Sequence, residues 1–321
     1  MKVSVVIPCH NAARWVGGAL RSVAAQTRPP HEVVVVDDAS SDDSARAVRG
    51  SGVDVRLLRV DCRNAAAARN AGAEVATGDW IALLDADDEW YPDHLARAAD
   101  VLLGTADVAY RGLYDELTAE GARRPLGRMQ PITETRSGLT HIEYMRLEDQ
   151  ELVFGHSSFL YRADRFREVG GFDPEQVRRH DIDLWLRVIR DRTWAWDTVP
   201  SVAYRVDTPG SISRSYAECE YYYLKALVRN KDAYPGPDMD RMLAKIARKV
   251  MTIGFADSAP AEFARYRGLA WPYLPPKVRW AYRAAGLAPG VARRAIRLKR
   301  AVFTWRTGTR LPELRPAGGR L

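Results

Sequence analysis

Apolar runs recur along the first part of the chain, each long enough for one strand and each ending in polar residues. Lys2 to Pro8 (K-V-S-V-V-I-P) is rich in β-branched residues, Glu32 to Asp37 repeats that character, Val53 to Arg59 forms a third run and Trp80 to Leu84 a fourth. Amphipathic stretches separate them at Asn11 to Gln26, Ser41 to Arg49 and Ala65 to Ala76. Strands alternating with helices of this length predict βαβ units, hence an α/β fold with a mainly parallel sheet flanked by helices. Ligands of such a sheet bind beyond the carboxyl ends of its strands. Here those ends read Pro8-Cys9-His10-Asn11, Asp37-Asp38-Ala39-Ser40, Asp61 and Asp85-Ala86-Asp87-Asp88, which together predict one polar crevice.

The alternation fades after about Ser215. From there the chain reads as helices broken by Pro-Gly and Pro-Pro: Tyr216 to Lys231, Asp238 to Phe255, Pro260 to Tyr266, Lys277 to Ala285 and Val291 to Trp305. The expected organisation is an α/β unit over 1–215 and a helical extension over 216–321. Arg111 to Thr140 shows no clear period and reads as an insertion or mobile loop.

Three carboxylates within Asp85 to Asp88, at the end of an apolar strand, call for a cation. A hard divalent ion, Mg²⁺ or Mn²⁺, fits, because such ions take oxygen ligands from one or two carboxylates plus substrate phosphates. The competing reading is a solvated acidic turn capping a helix that starts near Pro92. Asp38 could likewise bind a ligand in the crevice, or it and Asp37 could do no more than support a helix start at Ser40 or Ser41 with Asp42 and Asp43 in its first turn. Arg69 could offer its planar fork to phosphate or to the acidic cluster, or form a surface salt bridge.

Six motifs in order decide what these pieces resemble. They are V-S-V-V-I-P-C-H-N at 3–11, V-V-V-D-D-A-S at 34–40, A-R-N-A-G at 68–72, G-D-W-I-A-L-L-D-A-D-D at 78–88, G-G-F-D at 170–173 and H-D-I-D-L-W-L-R at 180–187. Over roughly the first 215 residues the chain resembles the inverting GT-A glycosyltransferases of family 2. The resemblance implies transfer of a sugar from a nucleotide-diphosphate donor, a UDP-sugar, to an acceptor hydroxyl. It implies that Asp38 accepts from the uracil ring, with Pro8, His10 and Asn11 as the opposite wall, and that Arg69, Asp85, Ala86 and Asp88 lie along the nucleotide sugar. Asp87 would reach the metal; Asp88 could exchange roles with it.

The general base implied by the resemblance is Asp181. The family usually has Glu-Asp there, and this chain has His180-Asp181, which keeps the base and changes its neighbour. Asp183 is the more structural of the two aspartates. A second departure falls at Tyr204-Arg205-Val206-Asp207, where the family often carries Y-R-x-H: Asp207 would offer the metal a carboxylate in place of imidazole, or would simply form an Asx turn before Pro209-Gly210. His156, His180 and Trp185 are the acceptor-side candidates, although Trp185 also lies on the face that the helix would bury. The acceptor class, whether sugar, lipid-linked glycan or small scaffold, stays open.

Charge sharpens the picture of the extension. The net +7 of the chain is concentrated in residues 276–321, which hold twelve Lys or Arg and one acid, so the remainder is net acidic. A helix from Val291 would carry Ala295, Leu298, Val302 and Trp305 on one side and Arg293, Arg294, Arg297 and Arg300 on another. It could lie on an anionic membrane or pack with its arginines in water. Nucleic acid is disfavoured, since no stacking or groove-reading motif accompanies the charge. No apolar run has the length of a span, Lys2 enters directly into a strand, and Cys9, Cys62 and Cys219 have no metal or disulfide spacing, all of which predict a cytosolic chain. Two rivals differ in class. A sugar-nucleotide nucleotidyltransferase usually needs a Gly-rich basic loop after the first strand, absent from Pro8 to Ala13, and a non-catalytic carbohydrate-binding scaffold would have no reason to keep every expected carboxylate.

Overall fold

The computed structural model describes residues 1–118, 123–125, 134–144, 155–205 and 216–287. The chain divides into two compact units, Met1–Pro209 and Gly210–Leu321.

The first unit is built on a single sheet. Strands β1 (Val3–Cys9), β2 (Glu32–Asp38), β3 (Arg56–Val60) and β4 (Trp80–Leu83) lie in the order β3-β2-β1-β4 and are all parallel. Their crossovers carry α1 (Val16–Ala24), α2 (Ser44–Arg49) and α3 (Ala65–Val75). Helix α1 starts later than its amphipathic pattern, because Asn11 takes a left-handed backbone (φ 49°) and the chain turns through Ala12 before the helix begins. Along β1, Val3, Val5 and Ile7 are buried together with Val16, Leu20 and Val23 of α1. On the opposite face α3 comes so close that a Cβ on Gly72 would sit 2.4 Å from Val6 Cγ1 and 2.9 Å from Val36 Cγ2. The glycine of A-R-N-A-G is therefore a packing requirement.

Past β4 the sheet becomes mixed. It continues through β9 (Phe159–Arg162), β6 (Ala109–Leu117), β10 (Trp194–Arg205) and the edge strand β5 (Glu89–Trp90), with β7 (Arg123–Pro125) paired to β6 and β8 (Arg136–Leu139) paired to β10. Among the described residues, only β6 and β10 run parallel in this half. The expectation of a patternless insertion at Arg111 to Thr140 is corrected here: most of β6, and all of β7 and β8, come from it. Short strands carrying several arginines hide the period-two signal. Helices α4 (His94–Leu102), α5 (Ala163–Glu168) and α6 (His180–Val188) complete this unit.

The strand order reverses at β1, which has β2 on one side and β4 on the other, so a crevice opens at its carboxyl end. Pairing of β1 with β2 continues to Cys9 and Asp37, whereas pairing with β4 ends at Val6 and Leu83. Even-numbered residues of β1 turn their backbone towards β4, since Lys2 O accepts from Trp80 N–H and Val6 O from Leu84 N–H. Pro8 lies on that side just past the last pair, where a missing N–H costs no ladder bond.

The second unit contains α7 (Tyr216–Asn230), α8 (Pro237–Asp257), α9 (Pro260–Ala270) and α10 (Pro276–Leu287). Pro260 and Pro237 open their helices at the position where an N–H is not needed. On α8, Met239, Leu243, Ile246 and Val250 form the buried stripe. Among the described residues no helix is long and apolar enough to cross a membrane. The expected helix at 291–305 lies outside the described residues.

Candidate active site

One wall of the crevice is organised by Asp38. Its carboxylate is buried and accepts three backbone N–H groups from the loop after β3: Oδ1 from Cys62 (2.7 Å) and Arg63 (2.8 Å), Oδ2 from Asn64 (2.8 Å). A carboxylate has about four acceptor sites, so Asp38 keeps roughly one for a further donor. Asp37 is spent on the turn itself, accepting from Ser40 N–H and pairing with Arg59. Across from Asp38, His10 Nδ1 lies 2.6 Å from the Asp38 carbonyl. A carbonyl only accepts, so His10 carries its proton on Nδ1, and Nε2 then accepts from Asn11 Nδ2 at 3.1 Å. Asn11 Oδ1 in turn accepts from Ser41 N–H at 2.9 Å.

Asn64 links this wall to the next element. It is the N-cap of α3, with Oδ1 accepting from Ala66 and Ala67 N–H, while its Nδ2 donates to Pro174 O. Two turns further along α3, Asn70 makes a reciprocal pair with Phe172, donating to its carbonyl and accepting from its N–H, both at 2.8 Å. Gly171 takes φ 62° there, and a Cβ would lie 2.6 Å from Asn70 Oδ1. The G-G-F-D motif is thus a clasp on A-R-N-A-G.

Arg69, on the same helix, is 4% exposed and uses both ends of its fork. Nη2 donates to Asp85 Oδ1, and Nη1 donates to His180 Nε2 at 2.8 Å. Since guanidinium never accepts, His180 must present a lone pair on Nε2. Burial, then His156 and Arg69, push the His180 imidazole well below its usual range, consistent with a neutral ring. His156 stacks on it, 4.5 Å between centroids, and is held neutral by burial and by Arg69. The plain alternative of a surface salt bridge for Arg69 is excluded by its burial.

The acid run after β4 separates into two directions. Asp85 and Asp87 are half-buried, whereas Asp88 is 1% exposed. Asp88 Oδ2 accepts from the Ser157 hydroxyl at 2.6 Å and Oδ1 from Arg205 N–H at 2.9 Å. Burial first, then Asp87 and Asp85, lift the Asp88 carboxyl well above the carboxylate range. Asp87 and Asp88 therefore do not exchange roles, and the expected contact of Asp88 with the nucleotide sugar is replaced by a place under the loop. Ala86 is also turned into the core, leaving only its backbone for a ligand. Arg205 braces the loop from β10: Nε donates to Asp87 O at 3.0 Å and its guanidinium lies 4.4 Å from the centre of the Trp15 ring, with Arg14 on the same ring at 4.3 Å.

Asp181 stands in the first turn of α6, behind Arg179 in the left-handed region (φ 52°). It is 6% exposed, and burial raises its carboxyl above the ordinary value against the lowering influence of Arg179, the Ile182 N–H and Arg69. Asp183 is completely buried and bound to Arg187 at 2.8 Å, a structural role. Trp185 is corrected to a core residue: it is 1% exposed, stacks on Phe159 at 4.9 Å and meets Trp194 edge-on at 5.2 Å.

Among the described residues no three His, Cys, Asp or Glu side chains are gathered so as to hold a metal by themselves. Asp85 and Asp87 are the half-buried carboxylates of the loop after β4, and carboxylate oxygens of this kind fit an ion whose remaining ligands are phosphate and water. Asp207 lies outside the described residues; Arg205, two positions before it, is anchored on Asp88. The parts that sequence patterns did not single out are Ser157 and Arg205 as braces, and Trp15 between two arginines. The Arg205 brace had one available signal, its place beside Asp207.

Comparison with known proteins agrees with this architecture. The family model for glycosyl transferase family 2 matches residues 4–170, just over half of the chain, and the chain belongs to that family. Among curated relatives, the amylovoran biosynthesis glycosyltransferase AmsB of Erwinia amylovora is 29% identical over 201 residues, covering 57% of this chain and 62% of that protein. An uncharacterized glycosyltransferase of Rickettsia conorii is 29% identical over 192 residues, 59% of this chain and 31% of its own length. The chain thus spans less than two thirds of these relatives. In three dimensions it resembles S. aureus TarS 1-349 in complex with UDP-GlcNAc, with TM-score 0.67 and 19% identity over 96% of this chain and 93% of that one. It also resembles the mannosyltransferase PcManGT of Pyrobaculum calidifontis in complex with GDP-Man and Mn²⁺, with TM-score 0.60 and 18% identity over 96% and 81%. The fold is that of the GT-A glycosyltransferases.

Proposed function

We propose that the chain transfers a sugar from a UDP-linked donor to an acceptor hydroxyl with inversion of configuration. The observation that carries this reading is the double engagement of Arg69, which ties Asp85 at the exit of β4 to His180 at the start of the helix bearing Asp181. Donor-side and acceptor-side motifs thereby become parts of one site. Asp38, His10 and Asn11 supply the polar edge for the base. In the reaction, Asp181 takes the proton of the acceptor hydroxyl, the acceptor oxygen bonds to the anomeric carbon, and the bond from that carbon to the β-phosphate oxygen breaks to release UDP. A carboxyl raised by burial is a stronger base than an ordinary one. Mn²⁺ or Mg²⁺, held by Asp87 and Asp207, would supply positive charge against the leaving diphosphate. The TarS neighbour with UDP-GlcNAc and the PcManGT neighbour with Mn²⁺ support the donor class and the ion.

The same proposal places catalysis in residues 1–215, in the cytosol. A thermal-shift panel of UDP-, GDP- and other nucleotide sugars, each with and without Mn²⁺, tests it. The expected result is a raised melting temperature for a UDP-sugar that depends on the metal. A shift confined to GDP-linked sugars, or none with any donor, overturns the donor assignment.

A further inference from the structure

Ser157 has a place that its neighbours do not share. It sits in the short 3₁₀ turn His156–Ser158, immediately before β9. Its hydroxyl donates to Asp88 Oδ2 at 2.6 Å and accepts from Asp85 N–H at 3.0 Å, and its carbonyl accepts from the Trp90 indole at 2.7 Å. One buried side chain therefore bonds both ends of the Asp85–Asp88 run. On the other side of Asp88, Arg205 N–H occupies the second carboxylate oxygen at 2.9 Å. Three segments distant in sequence meet on that carboxylate: the acid loop, the acceptor-side turn and the end of β10.

The neighbouring serine supplies a contrast. Ser158 is as buried as Ser157, 1% exposed in each case, but its hydroxyl bonds only to Gly155 O at 3.1 Å, within its own turn. Burial alone cannot account for the contacts of Ser157.

Resting on the function proposed above, we infer that Ser157 is a positioning residue, which through Asp88 and the Asp85 N–H sets the geometry of the diphosphate-binding loop and couples it to the acceptor-side turn. A movement of the turn cannot occur without breaking or carrying along the bonds that hold the loop. Acceptor-side occupancy and affinity for nucleoside diphosphate are then linked, and the linkage is reciprocal.

The test compares full-length wild type with Ser157→Ala, Ser157→Thr and Ser158→Ala. Two measurements are made: hydrogen exchange of the Asp85 and Asp88 amides without ligand, and calorimetric affinity for UDP in the presence of Mn²⁺. Ser157→Ala should speed exchange at Asp85, whose amide loses its partner, and weaken UDP binding about tenfold, the scale of one hydrogen bond to a charged group. Ser157→Thr should recover most of both, and Ser158→Ala should change neither. Equal effects of the two alanine variants would reduce Ser157 to a structural residue and overturn the inference. So would faster exchange in Ser157→Ala with UDP affinity unchanged. Wild type that binds UDP weakly but another nucleoside diphosphate tightly would overturn the donor assignment alone, and the coupling is then read with that diphosphate. Wild type that binds none, with exchange as expected, overturns both the site and the inference.

Discussion

The two ends of β1, β2 and β4 treat carboxylates differently. At the amino ends, Glu32 accepts from the Ser4 hydroxyl (2.6 Å) and from the Thr77 N–H (2.6 Å) and hydroxyl (2.7 Å). Burial raises its carboxyl, but these bonds more than reverse that, and it ends below the ordinary range. Asp88, after β4, and Asp181, in the first turn of α6, are buried with fewer compensating donors, and both are raised. The amino end uses its acid to hold strands together. The other end holds both kinds: Asp37 and Asp38 are engaged by backbone N–H groups and Arg59, whereas Asp88 and Asp181 gain from a proton or a cation, the arrangement expected where charge develops during a reaction.

Changes at the carboxyl end should abolish function, and changes at the amino end should cost only stability. The largest effect is expected for Asp181→Asn, which should lower transfer on the order of 10²–10⁴-fold while leaving UDP affinity nearly unchanged; turnover assays and calorimetry read the two separately, and normal turnover would remove Asp181 as base. Next comes Arg69→Met, which leaves Asp85 without its cation and His180 without its donor. A loss of about 3 kcal/mol in urea denaturation is expected, together with weakened donor binding. A variant as stable as wild type would show that the pair contributes little.

The pH dependence sharpens the contrast further. A base must act deprotonated, so if Asp181 is the base proposed above, kcat/KM should rise with pH through its raised value, and the acid limb should lie above the ordinary carboxylate range. An acid limb at the usual carboxylate value would argue that another group limits the rate. The smallest effect is expected for Glu32→Gln: a stability loss of about 1 kcal/mol or less, discounted because the carboxylate is partly in water, with transfer unchanged. Glu32 is lowered on folding, so the wild-type advantage should be complete above the ordinary glutamate range and vanish as pH falls through the lowered value. Chemical denaturation of both proteins at several pH values measures it.

The parallel half of the sheet was legible in the sequence because β1, β2 and β4 are buried on both faces and are written as nearly unbroken apolar runs, while the outer strand β3 (R-L-L-R-V) is only partly buried. The helices of the second unit were equally legible down to Leu287, from their apolar stripes and proline breaks. The family was legible too, since the six motifs occur in order and family 2 follows from them. What periodicity could not record is where each side chain of an irregular turn points. Asp85, Asp87 and Asp88 look alike as a string, yet Asp88 turns inward because Ser157 and the end of β10 meet it there. Nor could the sequence pair Arg69 with His180, 111 positions away, or show that residues 111–140 hold strands. Those choices belong to tertiary structure, because they are made by the closing of the mixed half of the sheet against the parallel half, which brings distant segments within hydrogen-bond reach.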